Sequence, residues 1–132
     1  MPKPRKIVPG AIAGIEAALT TQILEWGRAR ELLEELEVGG LSLRGTLDSA
    51  LNLARAVERT ERQNVTIQQW CKGLDVRLYF NEDAWGEARD ALTRLQAATL
   101  YMARPAPDSF AMTLPDRMAR DALDTIKRLA NR

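Results

Sequence analysis

The chain has 132 residues, enough for one domain with a modest core. Its hydrophobic fraction of 45% and charged fraction of 28% are those of a globular protein, and the net charge of +1 gives no general reason to expect a polyanionic partner. The absence of histidine excludes Ser-His and Cys-His nucleophiles and histidine-ligated zinc. The single cysteine, Cys71, excludes an intrachain disulfide. Without a long apolar run or the apolar core of a signal peptide, we expect a cytoplasmic protein with no membrane association.

Residues 1–10 read MPKPRKIVPG and predict a flexible basic arm, because prolines interrupt any regular structure. The charges are Lys3, Arg5 and Lys6. This arm either contacts phosphates or is a solvated terminus. We expect residues 11–132 to form a single helical-bundle domain.

The first helix is predicted from Ala11 to about Val38, where Gly39 and Gly40 supply a stop. Its apolar seam is Ile12, Leu19, Trp26 and Leu33, seven residues apart, which is nearly a heptad repeat. The alanines and glycines of this segment favour a core helix of a bundle over a dimeric coiled coil. Its end is acidic: Glu31, Glu34, Glu35 and Glu37. Acids in a last turn oppose the helix dipole, so this end is either a surface for a basic partner or a solvated face.

A second amphipathic helix is predicted over residues 41–60, capped by Thr46. The residues expected to face the core are Leu47, Ala50, Leu51, Ala54 and Val57. The segment from 64 to 80 is expected to be a short irregular or β-ribbon insertion, because Val76, Leu78 and Phe80 alternate with polar residues. Within this segment Ile67 to Lys72 has the cap and stop signals of a short helix ended by Gly73, and the competing interpretation is a two-strand ribbon that uses Val65 to Trp70 as its second strand.

The central helix is predicted from Asn81 to Arg104, with Asn81 as its N-cap and Pro105 ending it. One continuous apolar stripe runs along it: Trp85, Ala88, Leu92, Leu95, Thr99 and Met102. Alanines flank that stripe and permit close approach of another helix: Ala84, Ala91 and Ala98.

A last helix is predicted after Thr113, with its apolar face formed by Met118, Ala122, Ile126 and Leu129. Its basic residues include Arg117, Arg120, Lys127 and Arg128. Together with the N-terminal arm, they suggest a second hypothesis, a nucleic-acid-associated accessory subunit. The segment Ile67 to Ala84 also resembles a helix-turn-helix unit, although Asp75 replaces the usual turn glycine; this resemblance implies nucleic-acid binding.

Carboxylates three residues apart share a helix face in three places: Glu34 with Glu37, Glu58 with Glu61, and Glu87 with Asp90. This resembles the paired acids with which all-helical nucleotide pyrophosphohydrolases hold magnesium, and it gives a third hypothesis, a Mg-dependent nucleotide hydrolase. Acids at this spacing also arise readily on solvated helix faces.

We therefore predict a predominantly all-α fold, an antiparallel bundle of about four helices with the insertion at 64–80 and the basic arm. The leading functional hypothesis is a non-enzymatic interaction module that self-associates or docks in a larger assembly. No catalytic residue, metal, cofactor or small-molecule substrate is expected. The predicted partner interface comprises Trp26, Arg30, Glu34, Trp85 and Leu92.

Overall fold

A computed structural model describes residues 10–104 and 115–131. These residues form five helices and no strand: α1 (Ala11–Val38), α2 (Leu43–Lys72), α3 (Val76–Tyr79), α4 (Glu82–Met102) and α5 (Pro115–Ala130). The fold is predominantly all-α, as predicted. The basic arm with Lys3, Arg5 and Lys6, the helix-ending Pro105 and the start of the last helix after Thr113 lie outside the described residues.

α1 and α2 form an antiparallel hairpin joined by residues 39–42. The predicted stop is confirmed, since Gly39 and Gly40 have φ of +77° and +82°, a region that favours glycine. The Gln22 side-chain amide donates to the Thr60 carbonyl at 3.1 Å. Glu25 follows Gln22 by one turn of α1, and it lies 3.6 Å from the guanidinium of Arg59, which precedes Thr60 in α2. A later residue of α1 thus meets an earlier residue of α2, as in an antiparallel pair.

α2 begins and ends differently from the prediction. Its N-cap is Ser42, whose hydroxyl accepts from the Gly45 N–H at 3.0 Å, whereas the predicted cap, Thr46, donates its hydroxyl to the Ser42 carbonyl. The helix continues to Lys72 and ends at Gly73, the stop predicted for a short helix at Ile67 to Lys72. An irregular or β-ribbon insertion at 64–80 is therefore wrong for 64–72, which is helical, and the one-turn helix α3 replaces the predicted strand.

α4 confirms the predicted central helix. The Asn81 side chain accepts from the Ala84 N–H at 2.9 Å, so Asn81 is the N-cap. The apolar stripe is buried except for Trp85, which is half-buried. The flanking alanines are fully buried and allow close packing: Ala84, Ala91 and Ala98.

α5 packs mainly on α4, and its predicted inward residues Ala122, Ile126 and Leu129 are buried. Met118 is the exception: it is 37% exposed and the neighbouring Ala119 takes the core position. At about 100° per residue, Met118 lies at one edge of the buried face, whereas Ala119 lies nearer its centre. None of the described helices is both long and apolar enough to cross a membrane.

α4 and α5 cover only part of the hairpin. Gln22 Nε2 donates to the carbonyls of both Thr60 and Thr99, so Thr99 in α4 lies level with the middle of α2. α4 ends at Met102, within one turn of Thr99. The hairpin residues beyond this level, 30–57, are called the distal hairpin below.

Candidate interaction surface

α2 buries an unusually polar face. Ser49, Thr60 and Asn64 are all less than 10% exposed. They share this face with small or apolar residues, Ala56, Ile67 and Cys71. Burial of polar side chains is costly unless they find hydrogen-bond partners. Thr60 does so by donating its hydroxyl to the Val57 carbonyl at 2.7 Å.

Leucines occupy the exposed side of the same helix in the distal hairpin. Leu43, Leu47 and Leu51 are 78%, 61% and 52% exposed, and Ala50 and Ala54 between them are also exposed. These five residues are called the apolar face of α2. Four of them were predicted to point into the core, and that prediction is wrong.

The physical reason is the way α1 packs on α2. Two residues along a helix correspond to a turn of about 200°, so Leu47 and Ser49 point to nearly opposite sides. α1 lies against the side that carries Ser49 and Ala56, where small side chains permit a close approach. Val57, the fifth residue predicted to be inward, is half-buried.

Charge is distributed unevenly around the apolar face. All five of its residues are uncharged, whereas the neighbouring end of α1 carries exposed carboxylates: Glu31, Glu34, Glu35 and Glu37. A shallow groove of about 420 Å³ runs beside these acids at the hairpin tip and is also lined by Val38 and Leu41. Both of these apolar residues are exposed. The distal hairpin thus offers uncovered apolar side chains beside an acidic helix end.

The predicted interface residues do not form one surface. Trp26 and Leu92 are 5% and 7% exposed and belong to the core, so they are not available to a partner in this conformation. The Arg30 guanidinium lies 4.7 Å from the centre of the Trp26 ring. Glu34 is exposed at the acidic end of α1.

Trp85 lies apart from these residues, near the junction of α3 and α4. The guanidinium carbons of Arg77 and Arg89 lie 4.9 and 5.0 Å from its ring centre. Lys72 lines the adjoining groove of about 450 Å³, whose wall also carries Asp75. The two guanidinium groups over the indole contribute to the half-buried state of Trp85.

Two of the predicted phosphate-binding residues are engaged with acids. Lys127 Nζ lies 2.8 Å from a Glu16 carboxylate oxygen, and an Arg128 guanidinium nitrogen lies 3.1 Å from a Glu87 carboxylate oxygen. Both pairs are partly exposed, so each contributes less than about 1 kcal/mol. Arg117 and Arg120 are exposed on α5.

The paired carboxylates do not converge. Glu58 in α2 pairs with Arg62 of the same helix at 3.0 Å. Glu87 in α4 pairs with Arg128 in α5. In residues 10–104 and 115–131, no group of three or more histidine, cysteine, aspartate or glutamate side chains could hold a metal ion. Glu34 and Glu37 lie at the exposed end of α1.

Sequence reasoning found the leucines of α2 but assigned them to the wrong side. The available signal was the presence of two competing faces, because Ser49, Asn52, Ala56, Thr60 and Asn64 also recur at helical spacing. No family model, curated protein or solved structure matches this chain.

Proposed function

We propose that the protein is a non-enzymatic helical interaction module that self-associates through the apolar face of α2. In this proposal the four long helices form an antiparallel bundle, and the protein acts in the cytoplasm as a subunit of an oligomer or larger assembly. The observation that carries the proposal is the exposure of Leu43, Leu47 and Leu51 on one side of a helix whose other side buries polar residues.

Burial of these leucines provides the driving force. Full burial of one leucine side chain stabilises by about 1.5–3 kcal/mol, and each copy contributes three. Contiguous exposed apolar residues of this kind mark interaction surfaces more often than single exposed residues do. A partner must itself be apolar and narrow enough to lie along a helix, and a second copy of α2 meets both requirements.

Sedimentation velocity over a range of protein concentrations tests the proposal. We expect the wild-type chain to shift from monomer to a larger species as concentration rises, and Leu47→Glu to remain monomeric. Leu24→Glu is the matched control, because Leu24 is 70% exposed on α1, outside the apolar face. Circular dichroism should show equal helix content in all three proteins. A wild-type chain that stays monomeric throughout, or a Leu24→Glu variant that is equally impaired, overturns the proposal.

Nucleic-acid association is a second proposal, supported by the exposed arginines Arg117 and Arg120 on α5. Fluorescence anisotropy with labelled DNA and RNA at several salt concentrations tests it. Replacing both arginines with alanine should reduce the slope of log K against log salt by up to about 0.9 for each phosphate that the variant no longer neutralises. Binding that is absent at low salt, or a slope that does not change, contradicts this second proposal.

A further inference from the structure

The geometry points to a specific arrangement of the self-associated state, and the inference rests on the function proposed above. We infer that two copies pack their α2 helices antiparallel, about a two-fold axis that passes between Asp48 and Ser49. In this register Leu43 of each copy faces Ala54 of the other, and Leu47 faces Ala50.

The spacing of the exposed residues supports helix-to-helix packing. Leu43, Leu47, Ala50 and Ala54 are separated by steps of four, three and four, the spacing of a coiled-coil seam. At about 100° per residue, these four positions fall within a narrow arc of the helix surface. All four are exposed, so the seam is open along its whole length. A second helix can therefore lie along it without moving any of the described residues.

The order of large and small residues along the seam selects the antiparallel direction. Two leucines are followed by two alanines. Parallel in-register helices would place leucine against leucine at one end and alanine against alanine at the other, so the gap between the helices would be uneven. Antiparallel helices place one leucine against one alanine at every level, which fills the gap evenly. Either direction can have two-fold symmetry, but only the antiparallel one pairs a large residue with a small one at every level.

Charged residues of α2 lie beside the seam and do not occupy it. Arg44, Asp48 and Arg55 are exposed on its flank, about 60° or more around the helix from the nearest seam position. A second copy can therefore cover the four seam residues without burying a charge.

Disulfide trapping with single-cysteine chains tests this register. All variants carry Cys71→Ala, so that the native thiol does not react. A Leu43→Cys chain is mixed with an Ala54→Cys chain under mild oxidation, and products are separated without reductant. We expect the mixed disulfide to exceed either homodisulfide by about tenfold, since a disulfide requires Cβ atoms about 3.5–4.5 Å apart. Two Leu43 side chains in this arrangement are about 16 Å apart along the helix axis, eleven residues at about 1.5 Å each.

A second pair, Leu47→Cys with Ala50→Cys, repeats the test at the centre of the seam if changes at the ends disturb association. Leu24→Cys is the control and should form no preferred disulfide. Predominant homodisulfides of Leu43→Cys overturn the antiparallel register while leaving self-association in place. A monomeric wild-type chain overturns both proposals, and the occupant of the apolar face is then the chain's own residues 105–114 or a different protein.

Discussion

The indole ring of Trp70 lies against the backbone of Gly14. A Cβ atom added at Gly14 would lie 2.4 Å from Trp70 Cε2, closer than any real Cβ contact. Gly14 therefore allows α1 and α2 to approach at the end of the hairpin that α4 and α5 cover. The tryptophan fills the space that a side chain at position 14 would take.

Gly14→Ala should therefore destabilise the protein. Alanine normally improves a helix interior by about 0.5–1 kcal/mol over glycine, but here the ring must move, at a cost of about 1–3 kcal/mol. Gly27→Ala in the same helix is the matched control, because a Cβ there meets nothing within 4 Å. Urea unfolding should show a lower stability for the first variant and a higher one for the second. If both changes raise the unfolding free energy, the Trp70 ring can move aside at little cost and the expectation is wrong.

Gln22 is a fully buried side chain that joins three helices. Its amide nitrogen donates to the carbonyls of Thr60 and Thr99 at 3.1 and 2.9 Å, while its Oε1 has no hydrogen-bond partner within the described part of the chain. Gln22→Glu replaces the donor with a carboxyl group, whose pKa burial would raise above about 4.3. A raised folded-state pKa means that stability present below the unfolded pKa is lost as pH rises through the folded pKa.

We expect Gln22→Glu to approach wild-type stability near pH 4 and to lose about 3–5 kcal/mol at neutral pH, the cost of an uncompensated buried charge. Gln22→Met is the control. It removes the unpartnered Oε1, and the Thr99 carbonyl keeps its hydrogen bond from the Ala103 N–H at 3.1 Å. Its stability difference from wild type should be small and independent of pH. Urea unfolding from pH 4 to 8 measures both, and a pH-independent loss in Gln22→Glu contradicts the expectation.

Cys71 is buried on the core side of α2, and burial raises the pKa of its thiol to about 11. The thiolate is the reactive form, so a thiol reagent at pH 8 should label the folded protein far more slowly than the urea-unfolded protein. The raised pKa also implies stability that is present below the unfolded pKa of about 8.5 and lost as pH rises towards the folded value. The stability advantage of wild type over Cys71→Ala should therefore shrink between pH 8 and 10. Equal labelling rates in the two states would contradict this picture.

The sequence predicted α1, α4 and most of α5 because each has one dominant apolar stripe and a clear end signal. Gly39 ends α1 and Asn81 begins α4 at the predicted places. α2 was harder because it has two competing faces. A helical pattern gives no information on which face a neighbouring helix will choose, and here α1 packs against the side with small and polar residues.

The predicted insertion at 64–80 was wrong for residues 64–72, where α2 continues. Thr66 and Asn64 are often found at helix starts, where their side chains cap the backbone. In α2 both side chains bond within the helix: the Thr66 hydroxyl donates to the Arg62 carbonyl at 3.2 Å, and Asn64 accepts from Gln68 at 3.3 Å. Position in a long helix therefore overrides local preference. The exposure of the apolar face could not be predicted from the local pattern either, because it depends on where α4 ends in the folded chain.

Asn81 provides a final prediction, on the anchoring of α4. Its side chain accepts from the Ala84 N–H at 2.9 Å, and Glu82 and Asp83 follow in the first turn, where negative charge is favourable. Asn81→Ala should cost about 1 kcal/mol of unfolding free energy, whereas Asn81→Asp preserves an acceptor and should cost only a few tenths. Ser42→Ala removes an equivalent cap from α2.

The two caps should nevertheless differ in their effect on stability. The first turn of α4 contains Ala84, which is fully buried in the core, so loss of its cap propagates to the packing of α4. The first turn of α2 lies at the exposed tip of the distal hairpin, where it can fray while exposing little additional apolar surface. Urea unfolding of the monomeric Leu47→Glu background should therefore show a smaller loss of stability for Ser42→Ala than for Asn81→Ala. If Ser42→Ala is the more costly change in that background, the tip of the hairpin is held by interactions within a single chain, and the exposed leucines of α2 are not the open surface that self-association needs.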